Sequence, residues 1–191
     1  EACPHACSYC PYPLINPQAT RTGDHMDIER LRHIRAEVMR CAPHAIIAVS
    51  LWGEPSFHPN IYDFIHDFAG EQEPRLLVET TGLGWDHEKL ESLIPQVQKS
   101  VLWIISLDAY TEEQYTKIHG PGFHDALKTL DILQQHAPDS VYIQAIRTTE
   151  TEEYMEEFYS HWKTHTERVI IKKYDYFCGF IEQKKITDLS P

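Results

Sequence analysis

Short, nearly unbroken apolar runs alternate along the chain with stretches whose apolar residues recur every three or four positions. Ala45–Leu51, Leu76–Thr80, Val101–Leu107, Val141–Ile146 and Val169–Tyr174 read as β-strands, and several lack polar alternation, as parallel strands covered on both faces do. Between them, Ile28, Leu31, Ile34 and Val38 mark one face of a helix that starts behind Asp27 and reaches about Cys41. Ile61, Phe64, Ile65 and Phe68 repeat the pattern after Pro59, and Leu90, Leu93 and Ile94 repeat it behind Asp86. Phe123, Leu127, Leu130 and Leu133 define another helix ending near Pro138, and Tyr154, Phe158 and Trp162 a last one opened by Thr151. These apolar side chains are assigned to the core, and so is Cys41.

Strands alternating with single helices imply parallel pairing through right-handed crossovers. The predicted order is a cysteine-bearing loop, a helix and a strand, then four further helix–strand units. A sixth strand just before Glu1 would complete an open (β/α)6 partial barrel. No internal repeat, low-complexity tract or linker interrupts the pattern, so residues 1–191 read as one α/β domain.

Composition narrows the function classes. The 191 residues are 42% apolar, enough for a sizeable core. Formal net charge is −12, from 29 acidic against 17 basic residues, and no Lys/Arg run provides a footprint for nucleic acid. No apolar stretch approaches the roughly 18 residues of a membrane span, and no basic segment precedes an apolar one as in a secretory signal. Five cysteines, an odd and clustered set, do not suggest a disulfide framework. A reducing cytoplasm is the expected location. The start at Glu1 and the end at Thr-Asp-Leu-Ser-Pro lead us to expect a segment of a longer protein.

Candidate chemistry begins in the N-terminal loop. Cys3, Cys7 and Cys10, in Cys-Pro-His-Ala-Cys-Ser-Tyr-Cys, offer three thiolates and no fourth. A structural zinc ion takes four ligands, which His5 or another of the 12 histidines could complete. An iron–sulfur cluster held by three cysteines instead keeps one iron open to an outside ligand. Both readings stand on the triplet alone.

In parallel α/β sheets, ligands gather beyond the C-terminal strand ends, and polar residues follow the apolar runs here. Gly53-Glu54-Pro55 follows the first, Glu79-Thr80-Thr81-Gly82 the second, and Ser106-Leu107-Asp108-Ala109 the third. Period two puts Ser106 and Asp108 on one side of their strand, and Asp108 is equally placed to cap the next helix. Gln144 and Arg147 close the fourth run, where Arg147 either holds a ligand carboxylate or forms a surface ion pair. Lys172, Tyr174, Tyr176 and Cys178 follow the last.

From Cys3 to about Lys173, this order of motifs resembles the radical S-adenosylmethionine (radical SAM) enzymes, whose signature is CxxxCxxC with an aromatic, here Tyr9, before the last cysteine. The resemblance implies a TIM-type partial barrel and a [4Fe–4S] cluster on Cys3, Cys7 and Cys10. Its free iron would be chelated by the amino and carboxylate groups of SAM. It further implies that Gly53, Glu54 and Pro55 form the turn engaging the SAM amino group, with Trp52 replacing the first glycine of the family's GGEP. Tyr9 would pack near the adenine, and Ser106 with Asp108 would reach the ribose or carboxylate. Thr80 stands at the family's Thr-Asn-Gly, with Thr81 replacing Asn, and Arg147 is a candidate carboxylate clamp. In Tyr115–Gly120, His119 stands where the family often has Arg, which removes a permanent charge.

The implied reaction is reductive cleavage of SAM to methionine and a 5′-deoxyadenosyl radical, which abstracts hydrogen from a substrate. An external electron donor is required, and no protein acid, base or nucleophile is. Val169–Gly179 looks most like members that continue into a SPASM extension, more narrowly the spirochaete "spiro-SPASM" type, whose substrates are often peptides or proteins. A zinc-binding module and a degenerate radical SAM scaffold are the alternatives.

Overall fold

The structure, a computed structural model, describes residues 3, 5, 7–15, 25–50, 52–73, 75–179 and 181. After a one-turn helix α1 (Tyr12–Ile15) come α2 (Ile28–Cys41), β1 (Ile47–Val49), α3 (Ile61–His66), β2 (Leu76–Thr80) and α4 (His87–Val97). They are followed by β3 (Val101–Ser106), α5 (Glu112–His119), α6 (Phe123–His136), β4 (Val141–Arg147), α7 (Met155–Lys163) and β5 (Val169–Lys173). The strands form one sheet in sequential order β1 to β5, and every neighbouring pair is parallel. All strand ends therefore point the same way, which brings the loops after them to one rim.

Local chemistry explains the helix starts. Asp27 accepts hydrogen bonds from the Glu29 and Arg30 amides, Asp86 from the Lys89 amide, and Thr111 from the Gln114 amide. Each such cap contributes about 1 kcal/mol. The core lies between the central strands and α3, α4 and α6. Phe64, Leu76, Val78, Leu90, Ile94, Trp103, Ile105 and Ile143 are at most 1% exposed there. Each fully buried side chain of this kind contributes roughly 1.5–3 kcal/mol.

Several expectations need correction. The chain places two helices, α5 and α6, between β3 and β4 where periodicity marked one. Helix α5 has only eight residues, and only Tyr115, Ile118 and His119 are buried, too few for an apolar stripe. Asp108 does not cap α5; Thr111 does. Thr151 makes no cap bond either. Its hydroxyl donates to the Ile146 carbonyl and accepts from the Thr148 amide, bracketing a turn, and α7 starts at Met155. Helix α2 buries no residue completely: Ile28 and Leu31 pack partly on the core, while Ile34 is 40% exposed and Cys41 is exposed. Strand β1 keeps only three residues of the seven-residue run, and Leu51 lies outside the described residues.

Candidate active site

The cysteine loop lies on the rim and is fastened to the barrel by polar bonds. The Ser8 amide donates to the Ile118 carbonyl (3.2 Å), and His5 Nδ1 donates to the His119 carbonyl (2.6 Å). Tyr9 Oη donates to Asp108 Oδ2 (2.6 Å), and the Ser8 hydroxyl donates to Glu150. Within the loop the Cys10 amide returns to the Cys7 carbonyl (3.0 Å), forming a turn that brings those two residues together. Cys3, Cys7 and Cys10 all line one cleft, which also takes Gly53 and Glu54 after β1, Thr80 ending β2, Ser106 ending β3, Ile146 of β4, and Lys172 to Asp175 from β5 onward. Burial pushes the Cys3 thiol up to about 11, with the nearby Glu54 and Cys10 adding to the rise. Burial also raises Cys7 well above its ordinary value, reinforced by Cys3, Asp108 and Cys10, and raises Cys10. Metal binding displaces the proton from each such thiol.

The donor set tests which metal group the loop suits. Among the described residues, no three His, Cys, Asp or Glu side chains are grouped to hold a single ion. A tetrahedral zinc ion needs its ligands converged on one centre. Cys3, Cys7 and Cys10, which share one cleft, fit a cluster in which each thiolate takes a different iron.

Glu54 is a polar centre of the cleft wall. It is 5% exposed, and burial raises its carboxyl above the ordinary value against the pull of four hydrogen bonds. Oε1 accepts from the Thr80 hydroxyl and the Ser56 amide (3.4 Å), and Oε2 from the Thr81 amide and hydroxyl (both 2.8 Å). Glu54 thereby bolts the turn after β1 to the end of β2. Gly53 precedes it at φ +129°, a backbone region that favours glycine. Ser106 Oγ accepts from Gln144 Nε2 (3.0 Å), which also donates to Glu79 Oε1 (2.8 Å).

The sequence model of the Radical SAM superfamily matches residues 1–161. The chain belongs to this superfamily of enzymes. It is 29% identical over 192 residues to an uncharacterized protein of Treponema pallidum (strain Nichols), covering 94% of this chain and 54% of that protein. The chain thus spans about half the length of the curated relative it matches. Among solved structures, Streptococcus suis SuiB bound to the precursor peptide SuiA superimposes with a TM-score of 0.71 at 17% identity, over 98% of this chain and 40% of SuiB. Native anSMEcpe with bound AdoMet gives 0.71 at 15% identity, over 91% of this chain and 49% of that one. At these identities the likeness establishes the radical SAM partial-barrel fold.

Within this radical SAM fold, the candidate residues separate into groups. Cys3, Cys7, Cys10, Tyr9, Gly53, Glu54, Thr80 and Ser106 share the cleft. Thr80 lends its hydroxyl entirely to the protein, donating to Glu54 and accepting from the Gly82 amide and Trp85 Nε1. Pro55 starts the 3-10 turn Pro55–Phe57 and is not on the cleft wall. Arg147 is directed elsewhere: its guanidinium forms a two-pronged ion pair with Glu152 (2.6 and 2.7 Å) on the partly exposed surface. Asp108 leaves the strand path at φ +57°, so it does not share a face with Ser106. Fully buried, it accepts from Tyr9 Oη and the Ile146 amide, pairs with His119 Nε2, and faces the cysteine loop. Trp52, in place of a glycine, brings its ring 6.4 Å from Phe177, linking the turns after β1 and β5. Tyr176 is 41% exposed, and the Cys178 side chain lies outside those described.

Sequence reasoning missed Thr81 as the main clasp on Glu54 and His119 as a partner of Cys7. Each stands where the sequence departs from the family pattern, and neither contact has a local signature.

Proposed function

We propose that this chain is the core of a radical SAM enzyme in which Cys3, Cys7 and Cys10 hold a [4Fe–4S] cluster whose remaining iron takes SAM. The observation that carries this reading is the convergence of those three cysteines with Gly53, Glu54, Thr80 and Ser106 in one cleft at the strand ends. When bound, such a cluster supplies the electron that splits SAM into methionine and a 5′-deoxyadenosyl radical for hydrogen abstraction. The chain's own residues bind and orient. Gly53 lets the backbone approach an amino group closely, while Glu54 holds that turn in place and adds negative charge beside it. Ser106 offers a hydroxyl to the ribose or carboxylate, and Tyr9 an aromatic wall beside the adenine. Tyr174 and Phe177 also line the cleft and limit water there.

A peptide or protein side chain is the proposed substrate class, supported by the fold shared with SuiB in complex with a precursor peptide. An external donor supplies the electron. The treponemal relative's greater length fits a spiro-SPASM-type extension beyond a single core domain spanning residues 1–191. Among the described residues, no helix is long and apolar enough to cross a membrane, and a reducing cytoplasm suits the thiolate ligands.

Anaerobic reconstitution tests the reading. About four irons per chain and 5′-deoxyadenosine formed under reductant support it. One colourless zinc per chain would replace it with the binding-module reading, and a cluster that never cleaves SAM would reduce the chain to a scaffold.

A further inference from the structure

The buried ring of His119 stands directly behind the cysteine loop. Its Nδ1 is 3.0 Å from Cys7 Sγ and its Nε2 is 2.9 Å from Asp108 Oδ2, with both side chains of the His119–Asp108 pair wholly buried. The ring is fixed from every side. Tyr115 packs against it at a tilt of 38° with centroids 4.8 Å apart, while His5 and Tyr9 meet it edge-on at 5.7 and 6.0 Å. Its own carbonyl receives His5 Nδ1, and helix α5 ends at this residue because Gly120 turns to φ +86°. Asp108 is fixed in turn by Tyr9 Oη and the Ile146 amide. A ring held this way cannot swing away from the sulfur.

We propose that His119 is a positioning residue for the cluster: its ring, oriented through Nε2 by Asp108, offers Nδ1–H to the Cys7 sulfur. This rests on Cys7 being a cluster ligand, the reading given above. A metal-bound thiolate sulfur can only accept, so the ring nitrogen 3.0 Å from it is the donor once Cys7 holds the cluster. A hydrogen bond to a cluster sulfur stabilises the extra electron density of the reduced state, and so raises the reduction potential. Asp108 sets the ring's orientation and at the same time holds Tyr9, so one buried carboxylate fixes both the sulfur donor and the loop that carries the sulfur.

The test is an anaerobic redox titration, followed by electron paramagnetic resonance, of the reconstituted protein and two variants. Iron content of the parent protein is measured first; failure to bind iron there overturns the cluster reading and this inference with it. Given a cluster, His119→Phe keeps a ring but removes the donor and is expected to move the potential to more negative values, with iron content retained. His119→Asn returns an N–H near the Nδ1 position and is expected to recover much of the shift. An unchanged potential in a folded, iron-loaded His119→Phe protein overturns the inference and leaves the cluster reading intact. Should His119→Phe not fold, the parent protein with 15N-labelled histidine decides by pulsed resonance. A weak histidine nitrogen coupling to the reduced cluster supports the bond, and its absence overturns it.

Discussion

Strands β2 to β4 and the cysteine loop face each other across one cleft but are held by different forces. The strands are fixed by burial: Leu76, Val78, Trp103, Ile105 and Ile143 are entirely excluded from water. The loop is fixed by a few directed bonds, from Ser8, His5, Tyr9 and Cys7 to Ile118, His119 and Asp108. Close packing gives a scaffold that resists deformation. Polar tethers let a peripheral segment carry reactive thiols without being part of the core. The comparison teaches that ligand loss and fold loss should be separable at the loop and inseparable at the sheet.

The largest expected effect breaks the packed side. Trp103→Ala should cost about 3–5 kcal/mol in chemical denaturation, because it empties a fully buried site in β3. Next comes the tether that both regions share. Asp108→Ala strands the Tyr9 hydroxyl, the His119 ring and the Ile146 amide, and is expected to cost on the order of 3 kcal/mol and to lower iron retention as well. If Asp108→Ala lowered stability but left iron binding intact, the loop would need some other anchor. Cys7→Ala should abolish cluster assembly with an unchanged circular dichroism spectrum; unfolding of that variant would show that the loop belongs to the core after all. The smallest effect is at the surface, where Arg147→Ala removes an ion pair with Glu152 worth about 0.2–1 kcal/mol and should leave SAM affinity untouched.

Acidity sharpens the same contrast. The raised cysteine thiols must lose protons to bind iron, so loading is expected to improve from pH 7 to pH 9, measured as iron per chain after a fixed time. The metal-free fold should respond in the opposite sense. Unfolded thiols ionise near pH 8.5 while Cys3 holds its proton to about 11, so raising the pH through that window favours the unfolded chain.

Much of the barrel was legible because burial writes itself into local sequence. The run read over Val101–Leu107 forms a strand at Val101–Ser106, and the caps at Asp27 and Asp86 appear where the pattern placed them. Helix α5 was obscured because it is short and buries only Tyr115, Ile118 and His119. The candidate cleft was legible where a motif sits at a strand end, since Gly53, Glu54 and Ser106 all line it. It was illegible where the meaning is a contact distant in sequence. His119 meets Cys7 across 112 residues, and Thr81 meets Glu54 across 27, and no local period encodes either. Arg147 carried a readable signal that was left open: Glu152, five residues on, is its partner.

The central claim is that one iron is left for SAM by a three-cysteine loop. It is tested most directly by adding SAM to the reduced, reconstituted protein and recording its electron paramagnetic resonance spectrum. The account predicts a clear change in the cluster signal on SAM addition, absent with 5′-methylthioadenosine, which lacks the amino and carboxylate groups that would chelate the iron. A spectrum from a fully loaded cluster that SAM leaves unaltered would contradict it.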